Sequence, residues 1–294
     1  MDANMIIGVD LGGTKIMTGA INMRGEVLGN PVKIPTESRQ SKERIFGKIV
    51  ASVEQVMHEC GLTVANLKGI GVGSTGPVDA DRGIILECPQ LPTMHFFPLR
   101  DELERHFGVP VLLNNDANCL ILGEAVFGVG RNRKSVMGFT LGTGLGCALV
   151  RDGEIWSGAT GMAGEIWLSP YREGIIEDRV SGNGVSEIYR SITSKDASAQ
   201  QVCLLAEQGD ADALRTWSEF GSHLAVPLAW SINLIDPEIV LLGGSMTHAY
   251  KFFKSSMEEH LRKHICPAPA SRTEIVLSAL GDSAGFIGAA CLFL

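Results

Sequence analysis

Basic clusters are missing from this chain. No Lys/Arg run exceeds two or three residues, and 33 acidic against 25 basic residues leave a net charge of −8, which argues against nucleic acid or an anionic membrane as partner. No apolar stretch approaches the ~18 residues of a membrane span. Met1 leads into the strand-like MIIGVD with neither a basic leader nor a small-residue cleavage site, so a cytoplasmic protein is expected. The seven cysteines, at 60, 88, 119, 147, 203, 266 and 291, are scattered and contain no CxxC pair, which excludes a disulfide framework or a zinc knuckle. There is no GxxxxGK[ST] P-loop. GTGLG (142–146) precedes a strand-like run rather than a helix, so a Rossmann turn fails on context. Pro/Ser linkers and low-complexity segments are also absent.

What is present is an ordinary globular composition, 45% hydrophobic and 20% charged over 294 residues, long enough for two modest domains. Glycine, 35 residues, exceeds the usual ~7%, and much of the excess follows strand-like runs. The spacing predicts two strands over Met5–Ile21 joined by a Gly-rich turn, a hairpin at Arg24–Gly29 entering a third strand, and an amphipathic helix over Ser41–Glu59 with Ile45, Ile49, Val53, Val56 and Met57 near the 3.6 period. A strand ending in a Gly-rich turn follows in Leu67–Asp79, then a helix through His106, a strand over Val109–Leu113 and a helix after Asn118.

The pattern then begins again. VMGFTLGTGLGCALV (136–150) matches the first segment at an offset of 130, placing Gly8 on Gly138, Leu11 on Leu141 and Gly12 on Gly142; DGEIWSG repeats RGEVLG. PEIVLLGGS (237–245) parallels KGIGVGSTG, and the run from Thr273 to Leu294 parallels the 109–128 region with Asp282 opposite Asp116. Four pairs in one order predict an α/β unit used twice. The expected domains are 1–130, joined by the final helix 283–294, and 131–282, with facing Gly-rich turns forming a cleft suited to a nucleotide and a second substrate.

Asp116 sits where a strand ends and a helix begins, the end of a parallel sheet at which open α/β folds bind ligands. It is read either as a helix cap or as a chemical group. In DLGGTK (10–15), Gly12 and Gly13 let backbone N–H groups approach phosphate oxygens, Thr14 and Lys15 add a hydroxyl and a cation, and Asp10 could orient Mg²⁺ through water. A tight hairpin turn explains the same glycines. LGTGLG, with Thr143 and Gly144 at its turn, is the partner motif, and Gly243 and Gly244 end another strand where a flat ring could lie against bare backbone.

These motifs together resemble the ROK family, the sugar kinases and sugar-responsive repressors of the actin-like ATPase superfamily. The carriers are DLGGTK, STGPVD from Ser74, NNDAN from Asn114 with LGEAVFG after it, LGTGLG, GMAGEI from Gly161, EDRVSGNG from Glu177, and LLGGS at Leu241. The resemblance implies duplicated actin-like ATPase (ribonuclease H-like) α/β domains and phosphorylation of a hexose, glucose first, at its 6-hydroxyl by ATP and Mg²⁺. It implies Asp116 as the base, Asn115, Glu165 and Glu177 on the sugar, Gly76 lining the pocket through backbone, and the three Gly-rich turns on ATP. Read from the residues alone, Glu165 is an exposed loop carboxylate and Glu177 a helix N-terminal one.

One departure stands out. The family usually carries GEIGH followed by a CxCGxxGC loop that holds a structural zinc. Here the run is GEIWLSPYREGIIE, with Trp167 and Leu168 at the Gly-His pair and Ile175 at the last cysteine position, so no zinc is expected. Because the His of zinc-bearing members touches the sugar, hexose identity stays open among N-acetylhexosamine, mannose, fructose and allose as well as glucose. Trp167 is read as core packing, with a sugar-stacking platform as the alternative. A repressor would carry a helix-turn-helix before the DxGGT strand, and the strand's start near Met5 leaves no room for one. A homodimer is expected; the apolar stretch His223–Ile235 reads either as a buried helix kinked at Pro227 or as the dimer surface.

Overall fold

A computed structural model describes residues 4–294. Its first sheet is built from β1 (Met5–Leu11), β2 (Lys15–Asn22), β3 (Val27–Pro35), β4 (Leu67–Ser74) and β7 (Val111–Asn115), in the order β3-β2-β1-β4-β7. β1, β4 and β7 run parallel, while β2 and β3 fold back antiparallel. Helix α1 (Lys42–Glu59) begins at Ser41, whose hydroxyl accepts from Arg44 N, and buries Ile45, Ile49, Val53 and Val56 in the core of this sheet. Full burial of such aliphatic side chains stabilises by roughly 1.5–3 kcal/mol each. A small hairpin, β5 (Val78–Asp79) with β6 (Ile84–Ile85), and helix α2 (Leu99–Phe107) connect β4 to β7. Helix α3 (Asp116–Phe127) leaves β7 without an intervening loop residue.

The second sheet repeats the plan. It comprises β8 (Ser135–Leu141), β9 (Leu145–Arg151), β10 (Glu154–Ile155), β13 (Ile239–Gly243) and β14 (Glu274–Leu277), in the order β10-β9-β8-β13-β14. Position for position this is the order of the first sheet, with β13 parallel to both β8 and β14. The duplicated α/β fold read from the paired glycine motifs is therefore what the chain adopts.

Between β10 and β13 come the hairpin β11 (Pro170–Tyr171) with β12 (Gly174–Ile175) and helices α4 (Gly182–Thr193), α5 (Ala199–Glu207) and α6 (Ala211–Ile235). α7 (Tyr250–His264) and α8 (Pro267–Arg272) precede β14, and α9 (Ala284–Cys291) follows it. Pro227 lies buried inside α6. Around it the helix buries Trp217 and Phe220, which meet Phe253 of α7 with ring centroids 5.2–6.0 Å apart.

The chain divides into two compact units. The first takes everything described up to Asn132 together with Leu149–Ala163 and Ala279–Leu294; the second holds Arg133–Ala148 and Gly164–Ser278. The segment 149–163, which the sequence reading placed in the second half, groups with the first unit. Within that unit α9 is buried on every side, as a helix hydrophobic all round must be. It lies so close that a Cβ on Gly8 of β1 would overlap the carbonyl of Phe286, and one on Gly288 the carbonyl of Cys119 in α3. Among the described residues no helix is long and apolar enough to cross a membrane.

Candidate functional site

In the first unit, strand register gathers the predicted residues at one sheet end. Leu11 of β1 pairs with Ser74 of β4, and Ser74 with Asn115 of β7. The turn 12–14, the turn 75–77 and Asp116 therefore leave three adjacent parallel strands at their carboxyl ends. The strand runs two residues beyond the expected Leu113, because Asn114 and Asn115 complete the ladder against Gly73 and Ser74.

Asn115 caps α3. Its Oδ1 accepts from Ala117 N at 2.9 Å, while Asp116 Oδ1 accepts from the same N–H at 2.8 Å. Asn114 Oδ1 in turn accepts from Asn115 N and from Asn118 Nδ2, each at 2.8 Å. The capping reading of this turn is thus real, and Asn115 is the cap. Asp116 is a first-turn carboxylate at the positive end of the helix dipole, half-buried, and its charge contributes to raising the nearby Cys119 thiol, which burial already pushes well up. Gly76 packs its backbone on the Asn115 amide: a Cβ there would lie 2.6 Å from Nδ2.

DLGGTK closes the β1–β2 hairpin. Gly12 N donates to Lys15 O at 3.0 Å, and the Thr36 hydroxyl donates to Gly12 O at 2.6 Å. The hairpin explanation of Gly12 therefore holds, and its N–H is committed inside the turn. Burial pushes the Asp10 carboxyl up to about 6; Lys15 pulls it down, and the neighbouring Asp282 adds to the rise. Asp282, in the 3₁₀ turn Gly281–Ser283, also reaches Lys33 at 3.6 Å on the surface.

The second unit has its own cluster. Gly243 at the end of β13 pairs with Thr140 of β8, and Gly244 takes φ +87° where its backbone crowds Leu141, the first residue of LGTGLG. Glu177, in the 3₁₀ turn Ile176–Asp178, reaches that turn: its Oε2 accepts from Leu145 N at 2.8 Å, and a Cβ on Gly144 would lie 2.5 Å from the same oxygen. Thr143 stands exposed at the tip. Burial raises the Glu177 carboxyl; the Leu145 hydrogen bond opposes this, while Asp178 and Glu165 add to it. Glu165 is close enough that its charge joins burial in pushing the Cys147 thiol up to about 12. Glu165, Glu177, Thr143–Gly144 and Gly243–Gly244 thus share the second unit; Asp10, Gly12–Lys15, Gly76, Asn115 and Asp116 share the first.

Trp167 is not core. It is half-buried, and its indole N–H donates to Glu165 Oε2. The size of the side chain suggested packing; its one polar atom, taken up by a carboxylate two residues away, decides its place instead. Sequence reasoning also missed the fully buried Glu124, whose carboxylate accepts from Val129 N at 3.0 Å and Leu280 N at 2.8 Å. The LGEAVFG stretch carried this residue in view, but nothing in the sequence reveals partners 156 residues apart.

A model of the ROK family matches residues 6–294. A glucokinase from Thermotoga maritima is 30% identical, the alignment covering 98% of this chain and 96% of that protein. An N-acetyl-D-glucosamine kinase from Vibrio cholerae is also 30% identical, covering 98% and 99%. Among solved structures, a ROK family glucokinase from Streptomyces griseus in complex with glucose and AMPPNP superposes with a TM-score of 0.84 at 26% identity, covering 98% of each chain.

Proposed function

Because the chain belongs to the ROK family, we propose that it is an ATP-dependent sugar kinase that phosphorylates the 6-hydroxyl of a free hexose, glucose first. The observation that carries this reading is Asp116: a half-buried carboxylate on the first turn of α3, at the carboxyl ends of three adjacent parallel strands, next to Asn115, against whose amide the Gly76 backbone packs. The relatives named glucokinase support it.

In the reaction the C6 oxygen forms a bond to the γ-phosphorus as the bond from that phosphorus to the β-bridging oxygen breaks, and ADP leaves with the electron pair. Asp116 accepts the hydroxyl proton and aims the oxygen in line. Asn115, Glu165 and Glu177 accept or donate to other sugar hydroxyls, and Gly76 presents backbone. Gly13 and Thr14, with Lys15 beside them, face phosphate; Gly12 shapes their turn, since its own N–H is spent. Thr143, Gly144, Gly243 and Gly244 are the further ATP-binding residues of this reading. Magnesium, when bound, neutralises charge on the transferring phosphate. Asp10, buried beside a second carboxylate, fits as the group that holds it through water. A cytoplasmic homodimer belongs to the same reading.

A second reading, an N-acetylhexosamine kinase, is favoured by the Vibrio cholerae relative at equal identity. Both are tested by ADP release from Mg·ATP against glucose, mannose, fructose, allose, glucosamine, N-acetylglucosamine and N-acetylmannosamine, with Asp116→Ala as control. Turnover with one sugar, abolished in the variant, is the expected result and names the substrate. Sugar binding seen by thermal shift without turnover would replace the kinase by a sensor.

A further inference from the structure

Between Glu165 and Glu177 the chain passes through the 3₁₀ turn Ile166–Leu168, the β11–β12 hairpin and the 3₁₀ turn that contains Glu177. Members of the family that hold zinc do so in this stretch, and the donors here do not fit that ion. From Ile166 to Ile176 there is no Cys or His, and the one carboxylate is Glu173. The bonds inside the excursion, Ile176 N to Ser169 O and Ile175 N to Asp178 Oδ2, each 2.9 Å, shape it locally. Its polar tie to the helical layer is Tyr171. The Tyr171 hydroxyl lies 2.9 Å from Nδ1 of His223 on α6, and its ring meets the edge of Trp230, one heptad further along the same face, at 6.3 Å.

We propose that Tyr171 and His223 form the positioning pair of the sugar site, fastening the β11–β12 hairpin to α6 without a metal so that Glu165 and Glu177 are held for the hexose hydroxyls. This rests on the kinase reading above. The chemistry of the pair is consistent with a permanent clasp. His223 is 1% exposed, and its Nε2 has no hydrogen-bond partner but faces Glu219 Oε1 at 3.7 Å. A lone pair on Nε2 would point at that carboxylate, so the neutral ring carries its proton there and Nδ1 accepts from the Tyr171 O–H. The charged groups facing the ring are Arg172 and Arg179 from the hairpin region, His260 on α7 and Glu219 on α6 itself. Burial, then the two arginines and His260, hold the imidazole neutral down to about pH 4, so the acceptor at Nδ1 persists across the working range of a kinase.

Tyr171→Phe removes the hydroxyl and nothing else, and the test reads the full-length protein in two ways. Loss of one such bond raises the KM for hexose roughly three- to ten-fold, while kcat at saturating hexose and the KM for ATP stay within about two-fold of wild type, since sugar binding is what the clasp serves. Amide exchange over 166–179 accelerates in the variant. Treatment with EDTA followed by restored Mg²⁺ leaves the wild-type KM unchanged. An unaltered hexose KM with unaltered exchange would overturn the proposal; so would kcat falling while the KM for ATP rises, the mark of general damage, or loss of a stoichiometric zinc that raises the hexose KM. Should the wild-type protein neither bind nor turn over any hexose, it is the kinase reading that falls. Exchange over 166–179 then judges the clasp alone, faster exchange in Tyr171→Phe supporting the fastening and equal exchange refuting it.

Discussion

The two sheets have one strand order and two fates at corresponding junctions. In the first copy β7 runs straight into α3, and the junction is polar: Asn114, Asn115, Asp116 and Asn118 interlock through four short hydrogen bonds. In the second copy β14 stops at Leu277, a loop and a 3₁₀ turn intervene, and the helix that follows is apolar on all faces. Asp282, the counterpart of Asp116 in the repeat, lies on the surface with a side chain 73% exposed. Duplication supplied two equivalent places for a carboxylate; one copy kept a half-buried carboxylate at a helix start, and the other used its helix to fill the core of the first unit.

The comparison breaks most sharply at Asp116. Asp116→Asn is expected to lower kcat at least about 10²-fold, the lower end for a positioned base, read as sugar-dependent ADP release. Next comes Glu177→Gln, which weakens the brace on Leu145 N and, in the proposed site, a sugar contact with it; the KM for hexose should rise about ten-fold, the scale of a charged hydrogen bond. The structural fate of α9 is tested by Gly288→Ala, whose methyl overlaps the Cys119 carbonyl. Overpacking of this kind costs about 1–3 kcal/mol, a fall in Tm of several degrees, whereas Gly142→Ala, with nothing within 4 Å of the new methyl, should leave Tm nearly unchanged.

A smaller effect concerns His223, which stays neutral in the fold down to about pH 4 against an ordinary 6.5. Between those values the unfolded chain takes up a proton that the folded chain refuses, so stability is complete above pH 6.5 and declines as pH falls toward 4; denaturant titrations at pH 7 and 5 should show this slope, reduced in a His223→Gln variant that still folds. The smallest effect belongs to Asp282→Asn. Exposed pairs such as Lys33–Asp282 contribute about 0–1 kcal/mol, so Tm should shift by less than about 4 °C.

What could be read beforehand follows from which forces are local. Helix α1 was legible because Ser41 caps it and Ile45, Ile49, Val53 and Val56 repeat at helical spacing. The duplication was legible because the glycine motifs recur at corresponding strand positions, Gly8 with Gly138 and Gly12 with Gly142, and the strand order recurs with them. The end of β7 was not: Asn114 and Asn115 are poor strand formers, and a ladder partner distant in sequence makes them strand. In the candidate site, the turns could be located at strand ends from motif alone, but their internal commitments could not. That Glu177 braces Leu145 and that Tyr171 finds a histidine 52 residues away are products of tertiary packing. Trp167 shows the opposite error, a general preference of large aromatics for cores overridden by one local acceptor.

The most direct measurement is kcat for Asp116→Asn and Asp282→Asn side by side, at saturating Mg·ATP and the best hexose. The account predicts a loss of at least about 10²-fold in the first and activity within about three-fold of wild type in the second, whose exposed carboxylate pairs with Lys33 on the surface. Near-full activity in Asp116→Asn, or an equal loss in both, would contradict the assignment of the chemistry to one copy of the repeat.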